Sequence, residues 1–149
     1  MEKSFFIVAV LVLTLGCAKA QVDTASQMNA VSFEEVSLEI GNKRFNVEYA
    51  KTFEQRAQGL MFRKSMCEDC GMLFKFSSPK YAGMWMKNTF IPLDVAFIDK
   101  NGVITDIKPL YPHNLESVGS SKEVLYALEM NQGWFAENNV HVGDQITIF

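Results

Sequence analysis

The segment LDVAFIDKNGVITDIKPL, residues 93–110, decides the fold class that the sequence predicts. Apolar and β-branched residues fill both halves of the segment, and Lys-Asn-Gly at residues 100–102 separates them. An Asn-Gly pair between two such runs is typical of a β-hairpin, because both residues tolerate the positive φ angles of a tight turn. The segment therefore predicts two antiparallel strands.

The rest of the chain extends this antiparallel pattern. A second hairpin is predicted over residues 36–49, where apolar and polar residues alternate on both sides of Gly41-Asn42. Further strands are predicted in residues 71–76, 81–86, 123–130 and 142–149, with Ser77, Ser78 and Pro79 separating the first two.

Two short helices are predicted between these strands. Residues 52–59 begin with Thr52 as a possible N-cap, carry Gln55 three residues later as in a capping box, and end at Gly59. Residues 133–139 fit one or two helical turns. The predicted fold is therefore α+β: a mostly antiparallel β-sheet or small barrel with two short helices, in one domain of residues 33–149.

Residues 1–20 have the pattern of a secretory signal peptide. Lys3 supplies positive charge, residues 5–16 form an apolar run too short for a spanning helix, and residues 18–20 match a small-x-small cleavage site. Cleavage after Ala20 predicts an exported protein without a transmembrane span, with the periplasm as the expected location and secretion as an alternative. A retained N-terminal anchor and lipidation at Cys17 are further alternatives. Residues 21–32, small and polar, are expected to be a flexible lead-in.

The charge of the chain excludes one class of function. It has 14 Lys and Arg residues against 17 Asp and Glu residues, a net charge of −3, and no basic cluster. Because nucleic-acid binding depends on neutralising phosphates, no nucleic-acid partner is predicted. No common hydrolase, metalloprotease or nucleotide-binding motif is present, and no cofactor is predicted.

Polar residues interrupt the apolar segment MWMKNTFIPLDVAFID, residues 84–99. Strand alternation places Asp94 on a face with apolar residues, and the same holds for Glu129 in the strand over residues 123–130. A buried carboxylate must be paired, hydrogen-bonded or protonated. The sequence therefore suggests a polar cluster at one end of the sheet, either a structural ion-pair network or a binding site, formed by Arg63, Lys87, Asn88, Asp94 and Glu129.

Four segments, RAQGLMFRKSM, GMLFKF, MWMKNTFIPLDVAFID and VGDQITI, resemble in their order the bacterial domain-of-unknown-function family 192. The resemblance extends over about residues 33–149 and implies a small, single-domain, β-rich fold that is often exported. It implies no established reaction, substrate or cofactor. The family's polar pattern is matched by Arg63, Lys87, Asn88 and Asp94, whereas CEDC at residues 67–70 departs from the expected cysteine-free connection.

Sulfur chemistry offers further possibilities. In an oxidising compartment Cys67 and Cys70 are expected to form a disulfide, with a catalytic redox pair as the less favoured alternative because a strand follows at once. His113 and His141 are too far apart for a zinc-finger pair, and no metal is predicted. A Cu(I) site is the alternative to core packing for four methionines: Met61, Met72, Met84 and Met86.

The favoured function is binding of a small anionic or polyhydroxyl ligand. In this hypothesis Arg63, Lys87 and Asn88 donate hydrogen bonds and Asp94 orients Lys87, while Trp85 is either an aromatic wall or, in the preferred interpretation, a core residue. The first alternative is a glycan hydrolase that uses Asp94 and Glu129 as an acid–base pair. The second is a structural or interaction module that exposes an apolar patch.

Overall fold

The computed structural model describes residues 31–149. The predicted signal peptide, its cleavage site, Cys17 and most of the lead-in over residues 21–32 lie outside these residues. The elements of the described part are β1 (Glu34–Ile40), β2 (Lys43–Ala50), α1 (Phe53–Gln58), β3 (Gly71–Lys80), β4 (Gly83–Met84), β5 (Leu93–Ile98), β6 (Ile104–Leu110), β7 (Val118–Gly119), β8 (Val124–Asn131), α2 (Trp134–Glu137) and β9 (Ile146–Ile148). Within this part, no helix combines the length and apolar character needed to cross a membrane.

The main sheet has seven strands in the order β6-β5-β8-β3-β2-β1-β9, and β4 and β7 form a separate two-stranded sheet. All neighbouring pairs of the main sheet are antiparallel except β2 and β3. The sheet curls, so that the Ile146 amide donates to the Gly102 carbonyl at 2.8 Å and Val103 bridges to Gln145. The predicted α+β class is confirmed: a curled, mostly antiparallel half-barrel with two short helices in one domain.

Local sequence signals explain several elements. Gly41 adopts a φ of 60° in the turn between β1 and β2, and β5 and β6 form the hairpin predicted over residues 93–110. Helix α1 begins with the predicted capping box, in which the Thr52 hydroxyl accepts from the Gln55 amide and the Gln55 side chain accepts from the Thr52 amide.

Both faces of the sheet are covered by apolar residues. The face that packs on α2, called the α2 face, has a core that includes Leu38, Phe45, Leu73, Ala96, Leu128, Trp134 and Phe135. The opposite face, called the α1 face, has a core that includes Leu60, Met72, Phe74, Met84, Met86, Val95, Phe97 and Ala127. Burial on both sides explains why the central strands are almost continuously apolar rather than alternating.

Three predicted strands differ in their boundaries, and the last of them, predicted over residues 142–149, is only Ile146–Ile148. Ser77, Ser78 and Pro79 do not end a strand, because β3 continues through them to Lys80 with a shift of register against β8 after Lys75. Such an irregularity accommodates a proline that cannot donate a ladder hydrogen bond. The strand predicted over residues 81–86 is shorter, since only Gly83–Met84 pairs with the two residues of β7.

Candidate functional site

Asp94 and Glu129 lie on neighbouring strands but on opposite faces of the sheet. In the register of β5 and β8, Asp94 is opposite Met130, and Glu129 is opposite Val95. Met130 belongs to the core of the α2 face, and Val95 belongs to that of the α1 face. The prediction of one polar cluster containing both carboxylates is therefore wrong, and the proposed acid–base pair is wrong for the same reason.

Asp94 stabilises the turn before α2. Its Oδ2 atom accepts a hydrogen bond at 2.8 Å from the amide of Gly133, which has a left-handed φ of 92°. Within residues 31–149 no ion pair joins Asp94 to Lys87 or Arg63, so the prediction that Asp94 orients Lys87 is wrong. The half-buried carboxylate is satisfied by a backbone donor instead.

Arg63 and Lys87 each interact with a different neighbour. The Arg63 guanidinium forms an ion pair with Glu48, and both side chains are about one-third exposed (31% and 28%). Lys87 Nζ lies 5.4 Å from the centroid of the Trp85 ring, within the range of a cation–π interaction. The structure does not bring these two cations together with Asp94, and a ligand-binding role for either stays a prediction.

Asn88 has a backbone role. Its φ of 54° lies in the left-handed region, which asparagine tolerates better than most residues, and its carbonyl accepts from the Phe62 amide at 2.8 Å. This conformation ends the alternation of the preceding residues, so that Asn88 is exposed and Thr89 is buried.

Glu129 is the predicted site residue in the least usual environment. It is only 4% exposed, and its neighbours across the two adjoining strands are Met72 and Val95. Within the described part of the chain its carboxyl group forms no hydrogen bond or ion pair, and burial raises its pKa to about 8. Glu129 is therefore mainly neutral at pH 7.

Glu129 lies at the inner end of a cleft between α1 and the segment over residues 83–85. The outer part has a volume of about 260 Å³ and is lined by Phe53, Arg56, Phe76, Lys80, Met84 and Trp85, among others. An adjoining inner part of about 30 Å³ shares Arg56, Met84 and Trp85, among others, with the outer part. It adds further lining residues that include Gln58, Leu60, Thr89 and Glu129. These two parts together are called the cleft.

Helix α1 is held over the sheet by two features of its sequence. The Arg56 Nη1 atom donates to the carbonyls of Lys51 at 2.6 Å and Lys75 at 3.0 Å, which joins α1 to β3. At the end of α1, Gly59 has a φ of 49°, and a Cβ atom there would lie 3.2 Å from the Phe74 ring. Glycine thus allows the chain to turn closely over Phe74 and form one wall of the cleft.

The outer part of the cleft combines aromatic surface with positive charge. Phe53 and Trp85 are 73% and 51% exposed, and Lys80 Nζ lies 4.8 Å from the centroid of the Phe76 ring. The charged residues that line this part are Arg56 and Lys80, and no carboxylate is among its lining residues within the described chain. The arrangement can attract an anion and can pack against an apolar or planar group.

Trp85 and the neighbouring methionines follow strand alternation. Met84 and Met86 are buried in the core of the α1 face, as the core-packing interpretation predicts, and Met72 is buried beside them. Trp85, between two buried residues, points outward, so the preference for Trp85 as a core residue is wrong. Among the described residues, no group of three or more His, Cys, Asp or Glu side chains is arranged to hold a metal ion.

Sequence reasoning missed Phe53, Arg56, Lys80 and Thr89 as possible site residues. Phe53 and Arg56 are three positions apart on α1, a spacing that places two side chains on one side of a helix. That spacing was the available signal. It could not show that Lys80, at the end of β3, lines the same cleft.

Cys67 and Cys70 form the predicted disulfide, with their Cα atoms 5.0 Å apart. The loop that it closes is attached to the α2 face. Asp69 accepts hydrogen bonds from the buried Trp134 Nε1 atom at 2.8 Å and from Lys43 Nζ at 2.7 Å, and these two bonds lower the pKa of Asp69. The Asn131 side chain donates to the Cys67 carbonyl at 2.7 Å. These contacts assign the disulfide loop a structural role.

The fold and the cleft together define a small α+β protein with a charged, aromatic surface cleft. The model of domain-of-unknown-function family 192, described as "Uncharacterized ACR", matches residues 17–148. The chain belongs to this family, as its sequence resemblance predicts. Among curated proteins, no similar sequence was found.

Two solved structures resemble this fold. A protein from Sinorhizobium meliloti 1021, described as a candidate transcription regulator, is 36% identical, with a TM-score of 0.77 over 80% of this chain and 97% of that protein. A protein of unknown function from Novosphingobium aromaticivorans DSM 12444 is 28% identical, with a TM-score of 0.71 over 81% of this chain and 89% of that one. The similarity covers nearly all of both relatives.

Proposed function

We propose that this protein binds a small anionic ligand with an apolar or planar body in the cleft between α1 and residues 83–85. The observation that carries the proposal is the charge of the lining. Arg56 and Lys80 contribute two positive charges to the outer part, and the acid of the inner part, Glu129, is mainly neutral at pH 7. A concave site with one sign of charge concentrates ligands of the opposite sign.

The size and walls of the cleft support a ligand of about one ring. Its outer volume of about 260 Å³ is close to the lower limit of roughly 300 Å³ for small-molecule sites. Phe53 and Trp85 both line this volume and expose aromatic surface, and a flat ligand that packs on them would remove that surface from water.

A polyhydroxyl ligand is the second candidate. The inner part of the cleft offers the Thr89 hydroxyl and the Glu129 carboxyl beside the ring of Trp85. Such a combination suits a sugar whose ring lies in the outer part and whose hydroxyl group reaches the inner part. A glycan hydrolase is not proposed, because its expected partner carboxylate, Asp94, faces the opposite side of the sheet.

DNA binding is not proposed either. The Sinorhizobium relative is described as a candidate transcription regulator, but this chain carries a net charge of −3 and no basic cluster. Binding to nucleic acid draws most of its affinity from positive charge, which this composition does not supply.

NMR titration of ¹⁵N-labelled protein with four probes tests the proposal. Benzoate combines a ring with an anion, benzyl alcohol keeps the ring without charge, glucose is polyhydroxyl, and glucuronate is both polyhydroxyl and anionic. We expect benzoate to shift the amide signals of Arg56, Lys80 and Trp85, and to bind several-fold more tightly than benzyl alcohol. Binding of glucose as tight as that of glucuronate would support the second candidate instead.

Two pairs of variants show whether the cleft is the site. Lys80→Ala is compared with Lys122→Ala, which removes the same charge from an exposed position outside the cleft. Trp85→Ala is compared with Phe62→Ala, a similarly exposed aromatic residue that does not line it. We expect the two cleft variants to weaken benzoate binding roughly three- to tenfold and the two controls to leave it unchanged. Equal effects within each pair would contradict the proposal.

Export is proposed from residues 1–20. A disulfide such as Cys67–Cys70 persists in oxidising compartments, which supports this location. Cell fractionation with mass measurement of the mature chain tests it: a chain starting at Gln21 in the exported fraction is expected, and a lipid-modified Cys17 would favour the anchored alternative.

A further inference from the structure

At the inner end of the cleft lies Glu129, which is 4% exposed and whose carboxyl group forms no hydrogen bond or ion pair within the described part of the chain. We propose that this carboxyl, in its neutral form, donates a hydrogen bond to an acceptor oxygen at the leading end of the ligand. The inference rests on the proposed function and specifies the ligand further: an anionic group at the outer end, an apolar body, and a carbonyl-type acceptor at the inner end.

Space at the inner end limits what can reach Glu129. The inner part has a volume of about 30 Å³, above the roughly 10–15 Å³ of cavity space that one water molecule needs and far below the roughly 150 Å³ of a cavity that holds benzene. One water molecule or one small group of a ligand therefore fits there, and a whole ring does not. The ring must remain in the outer part, which Phe53 and Trp85 line.

Three side chains around this space can donate a hydrogen bond, those of Arg56, Gln58 and neutral Glu129, and only the Glu129 donor is lost when the group ionises. The Thr89 hydroxyl donates to the Lys87 carbonyl at 3.3 Å, which leaves its oxygen as an acceptor toward the cleft. Arg56 uses its Nη1 atom for two backbone carbonyls. A neutral carboxyl has one O–H donor, whereas a carboxylate can only accept. A carbonyl oxygen can therefore accept a hydrogen bond from neutral Glu129, whereas the ionised form repels it.

The surroundings of Glu129 determine whether its carboxyl group is charged. The adjoining strands β3 and β5 present Met72 and Val95 across from it, which are apolar. The charged residues near the cleft are Arg56 on α1, Lys80 at the end of β3, and Lys87 after β4. Burial is the cause that raises the pKa of Glu129 to about 8. Binding through its O–H should therefore weaken between about pH 7 and pH 9.

A matched pair of probes tests this hydrogen bond. 4-Acetylbenzoate and 4-ethylbenzoate share the ring, the carboxylate and nearly the same shape, but only the first has a carbonyl oxygen opposite the carboxylate. The ratio of their dissociation constants removes every effect that the two probes share, including the titration of lysines. We expect 4-acetylbenzoate to bind roughly three- to tenfold more tightly at about pH 6, and the advantage to vanish at about pH 9.5.

Glu129→Gln provides the control, because its amide is a donor of similar shape that does not titrate. We expect this variant to keep the preference for 4-acetylbenzoate at both pH values. The wild-type ratio alone tests the proposal if the variant does not fold. A ratio near one at low pH, with both probes bound in the cleft, would overturn the role of Glu129 and leave the proposed binding function intact. Failure of both probes to bind would overturn both.

Discussion

Asp94 and Glu129 occupy neighbouring strands of one sheet, and the strand register directs their side chains to opposite faces. Asp94 is opposite Met130, the residue that follows Glu129, and its carboxylate accepts from the Gly133 amide. Glu129 faces the cleft on the other side, without a protein partner in the described chain. One carboxyl group is thus satisfied by the fold, while the other has no hydrogen-bond partner within the described chain.

Replacement of Asp94 should affect stability and not binding. Asp94→Ala leaves the Gly133 amide without its acceptor, so we expect a loss of about 1–3 kcal/mol in the free energy of unfolding. Asp94→Asn keeps an acceptor oxygen and should cost less. Urea unfolding measures both losses, and benzoate titration should give the wild-type affinity for each folded variant. Weakened binding in the stable Asn variant would place Asp94 in the site after all.

Glu129 should make the stability of the protein depend on pH in an unusual direction. Its pKa is about 8 in the folded state and 4.5 in the reference state, so between these values the folded protein holds a proton that the unfolded chain has released. The free energy of unfolding should therefore fall as pH rises from about 4.5 to 8, by on the order of 5 kcal/mol in total. Urea unfolding of the wild type and of Glu129→Gln at about pH 5, 7 and 9 measures this.

Glu129→Gln should remove most of that slope, since its amide does not titrate. The aspartates with lowered pKa, Asp69 and Asp106, titrate below this window and cannot produce the slope. Burial opposes ionisation of Asp106, but hydrogen bonds from Ser121, Thr105 and Lys108 outweigh it. A wild-type stability that is constant between about pH 5 and 8 would show that Glu129 is already ionised in the folded protein.

The sequence predicts the local parts of this structure well. The turn at Gly41-Asn42, the capping box of Thr52 and Gln55, and the disulfide each depend on residues a few positions apart, and all are present. The outward direction of Trp85 also follows from alternation beside Met84, although its size argued for the core.

The candidate site was less predictable because it depends on long-range register. Alternation within β5 or β8 shows which residues share a face of one strand, but only the pairing of the strands shows that Asp94 and Glu129 face apart. The parallel pairing of β2 with β3 is also long-range, and it follows the crossover through α1. That crossover places Arg56 over β3 and so forms the cleft.

Loss of the disulfide should destabilise the fold moderately and leave the cleft unchanged. Closing a loop of about four residues restricts the unfolded chain by about 2 kcal/mol in the chain-entropy model. We expect a decrease of that size in the free energy of unfolding for the double variant Cys67→Ser, Cys70→Ser, measured with urea. Wild-type protein unfolded with a reductant is the matched control and should give the same value. Unequal benzoate affinity would contradict a purely structural loop.

The left-handed backbone at Phe62 should limit the free energy of unfolding. A residue that tolerates this conformation better should therefore be favoured at position 62. Its φ is 67°, it is 63% exposed, and its ring makes an edge contact with Phe90 at 6.5 Å between centroids. A bulky residue in this conformation costs roughly 1–2 kcal/mol, and asparagine is among the residues that tolerate it better.

Phe62→Ala and Phe62→Asn both remove the contact with Phe90, so their difference isolates the backbone term. We expect Phe62→Asn to be about 0.5–1 kcal/mol more stable than Phe62→Ala in urea unfolding, because asparagine is enriched in the left-handed region. As a control, the same pair of changes at Phe53, which begins α1 with helical backbone, should favour alanine instead. If alanine is also the more stable residue at position 62, the left-handed conformation does not limit stability there.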